Sequence, residues 1–549
     1  MSRGDAVVSG PVRDRLLAQA VRLQRQGDAA AAVIACRTVL RGAPGDVDAW
    51  RLLAWIEVQR GNLAAGLEAF EKVAAATPRD AAAHTNVGNA LLELQRSEDA
   101  LRSYDRALAL DPAHTRTLYN RGVCLGGLGR HAEALASYER ALAIEPRHVD
   151  ALYGRGNALA SLGRHGDAAI AFERALAVDS GRADIWINRG NSLQELCRLD
   201  EALACYARAR VLEPNSPDAA FHEALLRLLA GDYEQGWPLY EARWRTAATS
   251  RVRRDLPGSQ WRGEKSDLRD KTVLLHAEQG FGDTIQFCRY APLVAQAGAT
   301  VILEVQPALQ TLMRSLAGVE TVIARGESLP RFDLHCPLLS LPLAFGTTVS
   351  TIPSVVPYLR APADRVAQWQ ERLHGVSRPR IGVAWAGSGA FENDQRSIAL
   401  ATLTTALPVG PAYVSLQKDV RDSDGAALLA RPDIADFRTG LTDFADTAAL
   451  VELLDLVVTV DTAVAHLAAA MGKPVLLLAA YNPTWRWLLG RGDSPWYPTV
   501  RLLRQAAIGD WSAGLSAVRE AISAGLPFAQ KTEGGPKSAL NSIPQRSRR

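Results

Sequence analysis

The feature that most constrains this chain is a 34-residue period running through its N-terminal half. Blocks begin at Val47, Ala81, Thr115, Val149, Ala183 and Pro217, and the register extends back to a weaker block near Arg13. The eighth position holds Gly88, Gly122, Gly156 and Gly190, and the twentieth holds Ala100, Ala134, Ala168 and Ala202. The twenty-fourth holds Tyr104, Tyr138, Phe172 and Tyr206. Pro78, Pro112, Pro146 and Pro214 close their blocks, with Ser180 breaking the pattern once. Small residues at a helix contact, followed by an aromatic wedge, describe a helix-turn-helix unit. One such unit cannot bury its apolar face alone, so the units must stack, with degenerate end blocks as caps.

This pattern resembles the tetratricopeptide repeat over residues 13–250, which implies an all-α superhelix lined inside by the first helix of each repeat. Position six carries Asn86, Asn120 and Asn188, and position nine carries Asn89, Asn157 and Asn191. Amides repeated along a groove offer donor and acceptor to an extended peptide of any sequence. They can equally serve only to solvate a helix face. The ladder resembles the repeats of the protein O-GlcNAc transferases, which implies a protein or peptide acceptor in the groove.

Past the aromatic stretch 231–244, a polar, basic linker is expected over 251–270. The pattern then changes to short apolar runs bounded by Gly, Asp or Pro: 272–278, 300–305, 380–387, 413–417, 456–461 and 474–480. Buried strands alternating with helical stretches imply parallel sheets. Two such units are expected, 271–360 and 378–525, followed by a disordered tail at 529–549. Two doubly wound, Rossmann-like halves facing a cleft form the α/β architecture called GT-B, and such sheets bind ligands at the carboxyl ends of their strands.

Charge and composition narrow the function classes. With 62 basic against 59 acidic side chains, nothing marks nucleic acid or an acidic membrane as the main partner. The six cysteines are scattered without a CxxC pair, so no disulfide framework or zinc site is expected. The first residues lack the apolar core of a signal peptide, and no apolar run is long enough for a membrane span. A cytoplasmic location is the expectation.

Three segments carry candidate chemistry. In VVTVDTAVAHLAAAMGKPVLLL, a strand ends at Asp461 and a helix starts directly after. The N–H groups of Thr462, Ala463 and Val464 then point from a helix N-terminus, a place suited to phosphate, and His466 falls on the same helical face. The plainer reading makes Asp461 an N-cap and His466 an interior side chain. In LLHAEQGFGDTIQFCRY, a Gly280-Phe281-Gly282-Asp283 turn leads into a helix. Asp283 is a candidate general base, or else forms a capping box with Gln286. His276 is a further candidate base, or a structural histidine. The third segment, AWAGSGAFENDQRSIAL, offers Ser388 and Arg396 to a donor phosphate, with Gln417 and Lys418 reaching the same cleft by topology. Trp485, Trp487, Trp496 and Tyr497, with Arg486 and Asp493, could stack on a ligand or simply pack.

DTAVAHLAAAMGKP resembles the signature D-[ST]-G-x-x-H-x-A-A-A-x-G-x-P of the heptosyltransferases of glycosyltransferase family 9, with Ala463 in place of the usual glycine. The resemblance implies that Gly280, Gly282, Ser388, Arg396, Gln417, Asp461, Thr462, Ala463 and His466 bind a nucleoside-diphosphate sugar. It implies that Asp283 is the catalytic base. The Ala463 amide keeps its donor provided its φ is negative. The resemblance further implies sugar transfer to a hydroxyl with inversion at the anomeric carbon; no carboxylate pair stands at a strand end to hold a divalent ion, so neither metal nor cofactor is expected. A scaffold that has lost catalysis, or a transferase acting on a lipid-linked or small glycan acceptor, remains an open alternative.

Overall fold

The computed structural model describes residues 10–247, 253–263, 268–387 and 395–525. It divides into two compact units, Met1–Leu196 and Cys197–Arg549. The first is a stack of antiparallel helix pairs. Its first helices include Val47–Gln59, Ala81–Glu93, Thr115–Gly127, Val149–Ser161 and Ala183–Glu195, starting at the residues where the sequence blocks begin. The residue before most of the blocks caps the helix with its side chain, Arg182 being the exception. The side chains of Asp46, Asp80, His114 and His148 accept from backbone N–H groups in the first turn.

The glycine-aromatic periodicity is a packing device. A Cβ on Gly88 would lie 2.5 Å from the Tyr104 ring, one on Gly122 2.6 Å from Tyr138, and one on Gly156 2.4 Å from Phe172. All three rings are buried. The wedge of the second helix thus sits directly on the backbone of the first, which no residue larger than glycine would permit.

The asparagine ladder takes part in the same packing. Asn120 Nδ2 donates to Asn89 Oδ1 at 2.7 Å, and Asn188 Nδ2 donates to Asn157 Oδ1 at 2.9 Å, so position six of one repeat bonds position nine of the repeat before it. Tyr104 Oη also donates to Asn89, and Asn188 also donates to Tyr153 Oη. Where Gly154 replaces asparagine at position six, its missing Cβ instead makes room for the Tyr138 ring. The amides remain half-buried, and they join repeats before they meet any peptide.

The second unit begins with the helices Leu199–Leu212, Pro217–Ala230 and Tyr233–Tyr240, closed by the 3₁₀ turn Glu241–Arg245. By sequence these complete the repeat array; by packing they belong with the α/β part. Trp237 makes edge contacts with Phe287 and Trp485, Trp496 Nε1 donates to Tyr233 Oη at 3.0 Å, and Arg243 pairs with Glu278 at 3.2 Å. A boundary near residue 250, drawn from periodicity, therefore falls within a packed unit.

Two all-parallel sheets follow. The first orders its strands β1-β5-β2-β3-β4, from β1 (Ser259–Gln260), β2 (Thr272–His276), β3 (Thr300–Val305), β4 (Thr321–Ala324) and β5 (Leu334–Pro337). The second is β11-β10-β9-β6-β7-β8, from β6 (Arg380–Ala384), β7 (Ala412–Ser415), β8 (Ile434–Asp436), β9 (Leu456–Val460), β10 (Val475–Ala479) and β11 (Val500–Arg504). The architecture is the expected α/β pair of sheets. One stretch read as linker is an edge strand: Ser259 and Gln260 pair with Leu334 and His335. The tail at 529–549 lies outside the described residues.

A buried arginine joins the two halves. Arg289, 4% exposed, donates to the carbonyl oxygens of Gln286, Pro353 and Trp496 and to Tyr358 Oη, and its guanidinium lies 4.5 Å from the ring centres of both Tyr358 and Tyr497. Its charge is met by carbonyl dipoles and ring faces.

The repeat packing yields a stability prediction. Gly156→Ala forces the Phe172 ring aside and should destabilise the helical array by about 1–3 kcal/mol. Urea denaturation followed by helical circular dichroism checks this, and an unshifted transition would contradict the packing.

Candidate functional site

A cavity of about 820 Å³ opens between the carboxyl ends of the two sheets. One wall is the turn after β2 together with the start of the helix Phe281–Phe287. The other is formed by residues after β6, β7 and β9. Gly280, Gly282, Asp283, Arg396, Gln417, Asp461, Thr462, Ala463 and His466 all line it. Residues separated by nearly two hundred positions in sequence are thus brought to one place. Ser388 lies outside the described residues.

The helix Ala463–Ala470 starts at the cavity. Its first intrahelical bonds are made by the N–H groups of Ala465 and His466 to Thr462 O, at 3.1 and 3.4 Å, so the amides of Ala463 and Val464 precede the hydrogen-bonded ladder. The N-cap is Thr462, with no side-chain capping bond. Asp461 therefore does not cap; its Oδ2 accepts from Thr484 Oγ1 at 2.8 Å. Ala463 is the first helical residue and is absent from the positive-φ set, so replacing glycine by alanine costs the backbone nothing here.

Gly282 is required by close approach. A Cβ there would lie 2.8 Å from His466 Cδ2 and 3.6 Å from Ala463 Cα. The turn that carries Asp283 rests on the start of the second helix, so small residues on both sides set the width of the cleft.

Asp283 is the third residue of its own helix, and its carboxylate accepts from the N-cap Gly280 N–H at 3.1 Å. The capping box thus pairs Asp283 with Gly280, not with Gln286. Gln286 is fully buried, and its amide has no hydrogen-bond partner among the described residues. The Asp283 carboxylate is also ion-paired with Arg486, whose side chain is 13% exposed and lies over the Trp485 ring. Burial works against the Arg486 charge, but Asp283, Tyr240 and Asp461 hold its pKa above the usual value.

His466 sits behind this surface, 3% exposed and stacked on Trp487. Its Nδ1 is 3.1 Å from Tyr497 Oη, and its Nε2 is 3.7 Å from Asp461 Oδ1. Burial, with repulsion from Arg486, pushes its pKa down to about 3. The ring is neutral at pH 7, so it can offer a hydrogen bond to a ligand but no charge.

Gln417 requires a correction. Its Oε1 accepts from Trp385 N and Ala386 N, both at 3.1 Å, and its Nε2 donates to Ala386 O and Asp419 O. With both lone pairs and both N–H groups engaged, the side chain anchors the loop after β6 and has nothing left for a ligand. Lys418 beside it is exposed and lines the cavity. His276 lies elsewhere, 3.3 Å from His335, its pKa held at about 3 chiefly by burial. Trp485, Trp487, Trp496 and Tyr497 are buried packing groups, and Asp493 pairs with Arg491 at 2.6 Å. Arg486 is the functional candidate that sequence reasoning left among these aromatics; no local pattern signals its partner, which lies 203 residues away.

Among the described residues, no group of three His, Cys, Asp or Glu side chains could hold a metal ion, and no helix is long and apolar enough to cross a membrane.

Comparison with known proteins gives matches in both parts of the chain. Residues 438–504, which contain the Ala463–Ala470 helix and Arg486, match the glycosyltransferase family 9 (heptosyltransferase) profile. Tetratricopeptide-repeat profiles match at 23–90, 85–145, 125–184 and 183–216. The chain therefore combines tetratricopeptide repeats with a glycosyltransferase family 9 domain. Protein FlbA of Caulobacter vibrioides is 26% identical over 341 residues, a match spanning 56% of this chain and about half, 56%, of the relative. A tetratricopeptide repeat protein from Parabacteroides merdae is similar at a TM-score of 0.37 and 16% identity, covering 42% of this chain and 92% of that one. MamA from Desulfovibrio magneticus gives 0.30 and 21%, covering 31% and 95%. Likenesses this slight say nothing about function.

Burial of His466 has a consequence in acid. The unfolded chain binds a proton at this ring near pH 6.5 and the folded chain does not, so this residue's contribution to stability is lost as pH falls from about 6.5 toward 3. Ring-carbon NMR shifts at pH 5 should report a neutral imidazole; a charged ring at that pH would show the site to be open.

Proposed function

We propose that this chain is a nucleotide-sugar-dependent glycosyltransferase that inverts the anomeric carbon and modifies a hydroxyl on a protein held by its repeats. The observation that carries the reading is the single cavity uniting an open helix N-terminus, Arg396 and the Asp283 carboxylate. The donor diphosphate rests against the amides of Ala463 and Val464, where the helix dipole contributes about 0.3–1 kcal/mol, and Arg396 adds a fixed charge. Thr462 and neutral His466 supply further hydrogen bonds.

Asp283 accepts the proton of the acceptor hydroxyl as it attacks the anomeric carbon. Its pairing with Gly280 N–H and Arg486 fixes the direction of the carboxylate, and fixed geometry is what converts a nearby base into an effective one. Charge developing on the leaving diphosphate is met by the helix end and by Arg396, with no metal or further cofactor in the scheme. Gly280 and Gly282 keep the turn close to the donor. Gln417 holds the loop that frames the sugar-nucleotide side of the cavity. The protein works in the cytoplasm, its repeat groove presenting the acceptor through the half-buried amides, Asn86 and Asn191 included.

Release of nucleotide from a panel of nucleoside-diphosphate sugars tests the activity. Arg396→Ala should weaken nucleotide affinity by about 1.5–3 kcal/mol, on the order of ten- to a hundredfold, as read by calorimetry. Asp283→Asn should keep that affinity while transfer falls about 10²–10⁴-fold. Full transfer by the Asn variant would remove Asp283 from the chemistry, and unchanged transfer in EDTA is expected. His466→Ala is a poorer probe, because it opens a hole beside Trp487.

A further inference from the structure

A second cavity, of about 590 Å³, opens on the other side of the β2 terminus and shares no residue with the first. Gln279 lines the first cavity and Glu278 the second, so the chain crosses from one to the other in a single step. The floor is the carboxyl end of β2 and β5, with His276, Glu278 and His335. One wall is the end of the Tyr233–Tyr240 helix and the turn Glu241–Arg245; the other is the stretch 253–262. Its volume falls within the range of about 300–1,000 Å³ usual for small-molecule sites.

The charges here are unevenly matched. Arg243, 1% exposed, is paired with Glu241 and with Glu278, and Arg254 is paired with Glu304. Arg245, Arg253 and Arg262 line the same cavity, are exposed, and have no carboxylate partner among the described residues. Against these three cations stand the exposed Asp255 and the one negative charge left over where Arg243 is shared by two glutamates. The rim is therefore cationic.

The floor carries unmet hydrogen-bonding capacity. Glu278 Oε1 accepts from Leu339 N at 3.1 Å, but its Oε2 is buried without a partner, as is Gln260 Nε2. Buried polar atoms in native proteins are met by a partner of some kind, and both of these residues line the cavity. Burial pushes the Glu278 pKa up to about 7 although Arg243 opposes the shift, so the carboxyl spends part of its time as an O–H donor near neutrality. The two histidines are held neutral by burial. A hydrogen-bonding floor beneath a cationic rim suits a polar body bearing an anionic group.

We propose that this second cavity is a separate ligand site, taking a compact polar molecule that carries a carboxylate or a phosphate. The floor binds the polar body through Glu278 and Gln260, and the arginines of the rim hold the anion. The site is independent of the donor cavity and of the transferase reading.

Calorimetry on the full chain with glucose 6-phosphate, glucuronate and glucose tests this, the two anions separating phosphate from carboxylate. At least one anionic probe should bind tenfold or more tightly than glucose. The exposed double variant Arg253→Gln/Arg262→Gln should weaken that binding at least tenfold and leave affinity for a nucleoside diphosphate unchanged. Glu278→Gln, at the floor, should weaken the probe too, with circular dichroism verifying that it folds. Equal binding of all three sugars, no binding of either anion, an undiminished double variant, or displacement of the probe by a nucleoside diphosphate would each overturn the proposal.

Discussion

Both halves of the α/β unit are held to one another through Arg289. A guanidinium removed from water is costly unless its donors are used, and here they reach carbonyl oxygens from the first half, the connector and the second half at once. The rings of Tyr358 and Tyr497 both lie against it, and Tyr497 in turn meets the ring of His466. The cavity inherits its shape from this knot. The Ala463–Ala470 helix is held by His466, His466 by Tyr497 and Trp487, and Tyr497 by the buried cation.

That arrangement explains why the cleft is lined by small residues. The helix Phe281–Phe287 lies against the Ala463–Ala470 helix at Gly282, where any side chain would strike His466. Close approach brings Asp283 to the same wall as a helix N-terminus and sets it against Arg486. An unpaired Asp283 carboxylate would repel an anion resting at the start of the Ala463–Ala470 helix; the Arg486 charge lets both stand in one cavity.

The helical repeats use the same economy of size. Glycine at one position admits an aromatic ring from the next helix, and asparagines bond between repeats where the sequence alone suggested a free ladder. Polar groups on the first helices are thus partly committed to holding the array in register. The last helices, which continue the period, pack instead through Trp237, Tyr233 and Arg243 onto Phe287, Trp485, Trp496 and Glu278 of the α/β part.

Periodicity and apolar runs determined the fold class, the helix starts at residues 47, 81, 115, 149 and 183, and six of the eleven strands among the described residues, since these signals are local and repeat along the chain. The strands that escaped notice, β1, β4, β5, β8 and β11, are short or interrupted by charge, and their identity comes from the neighbours they pair with. The Asp461–His466 segment and the Gly280–Asp283 turn were legible as candidate sites because a strand ending at a helix start exposes amides, and because the first of them resembles the family 9 signature. Only the tertiary structure decided which groups face those amides. It turned Gln417 inward onto the backbone, joined Arg486 to Asp283, and neutralised His466 by burial, since each of these depends on atoms far apart in sequence and close in space.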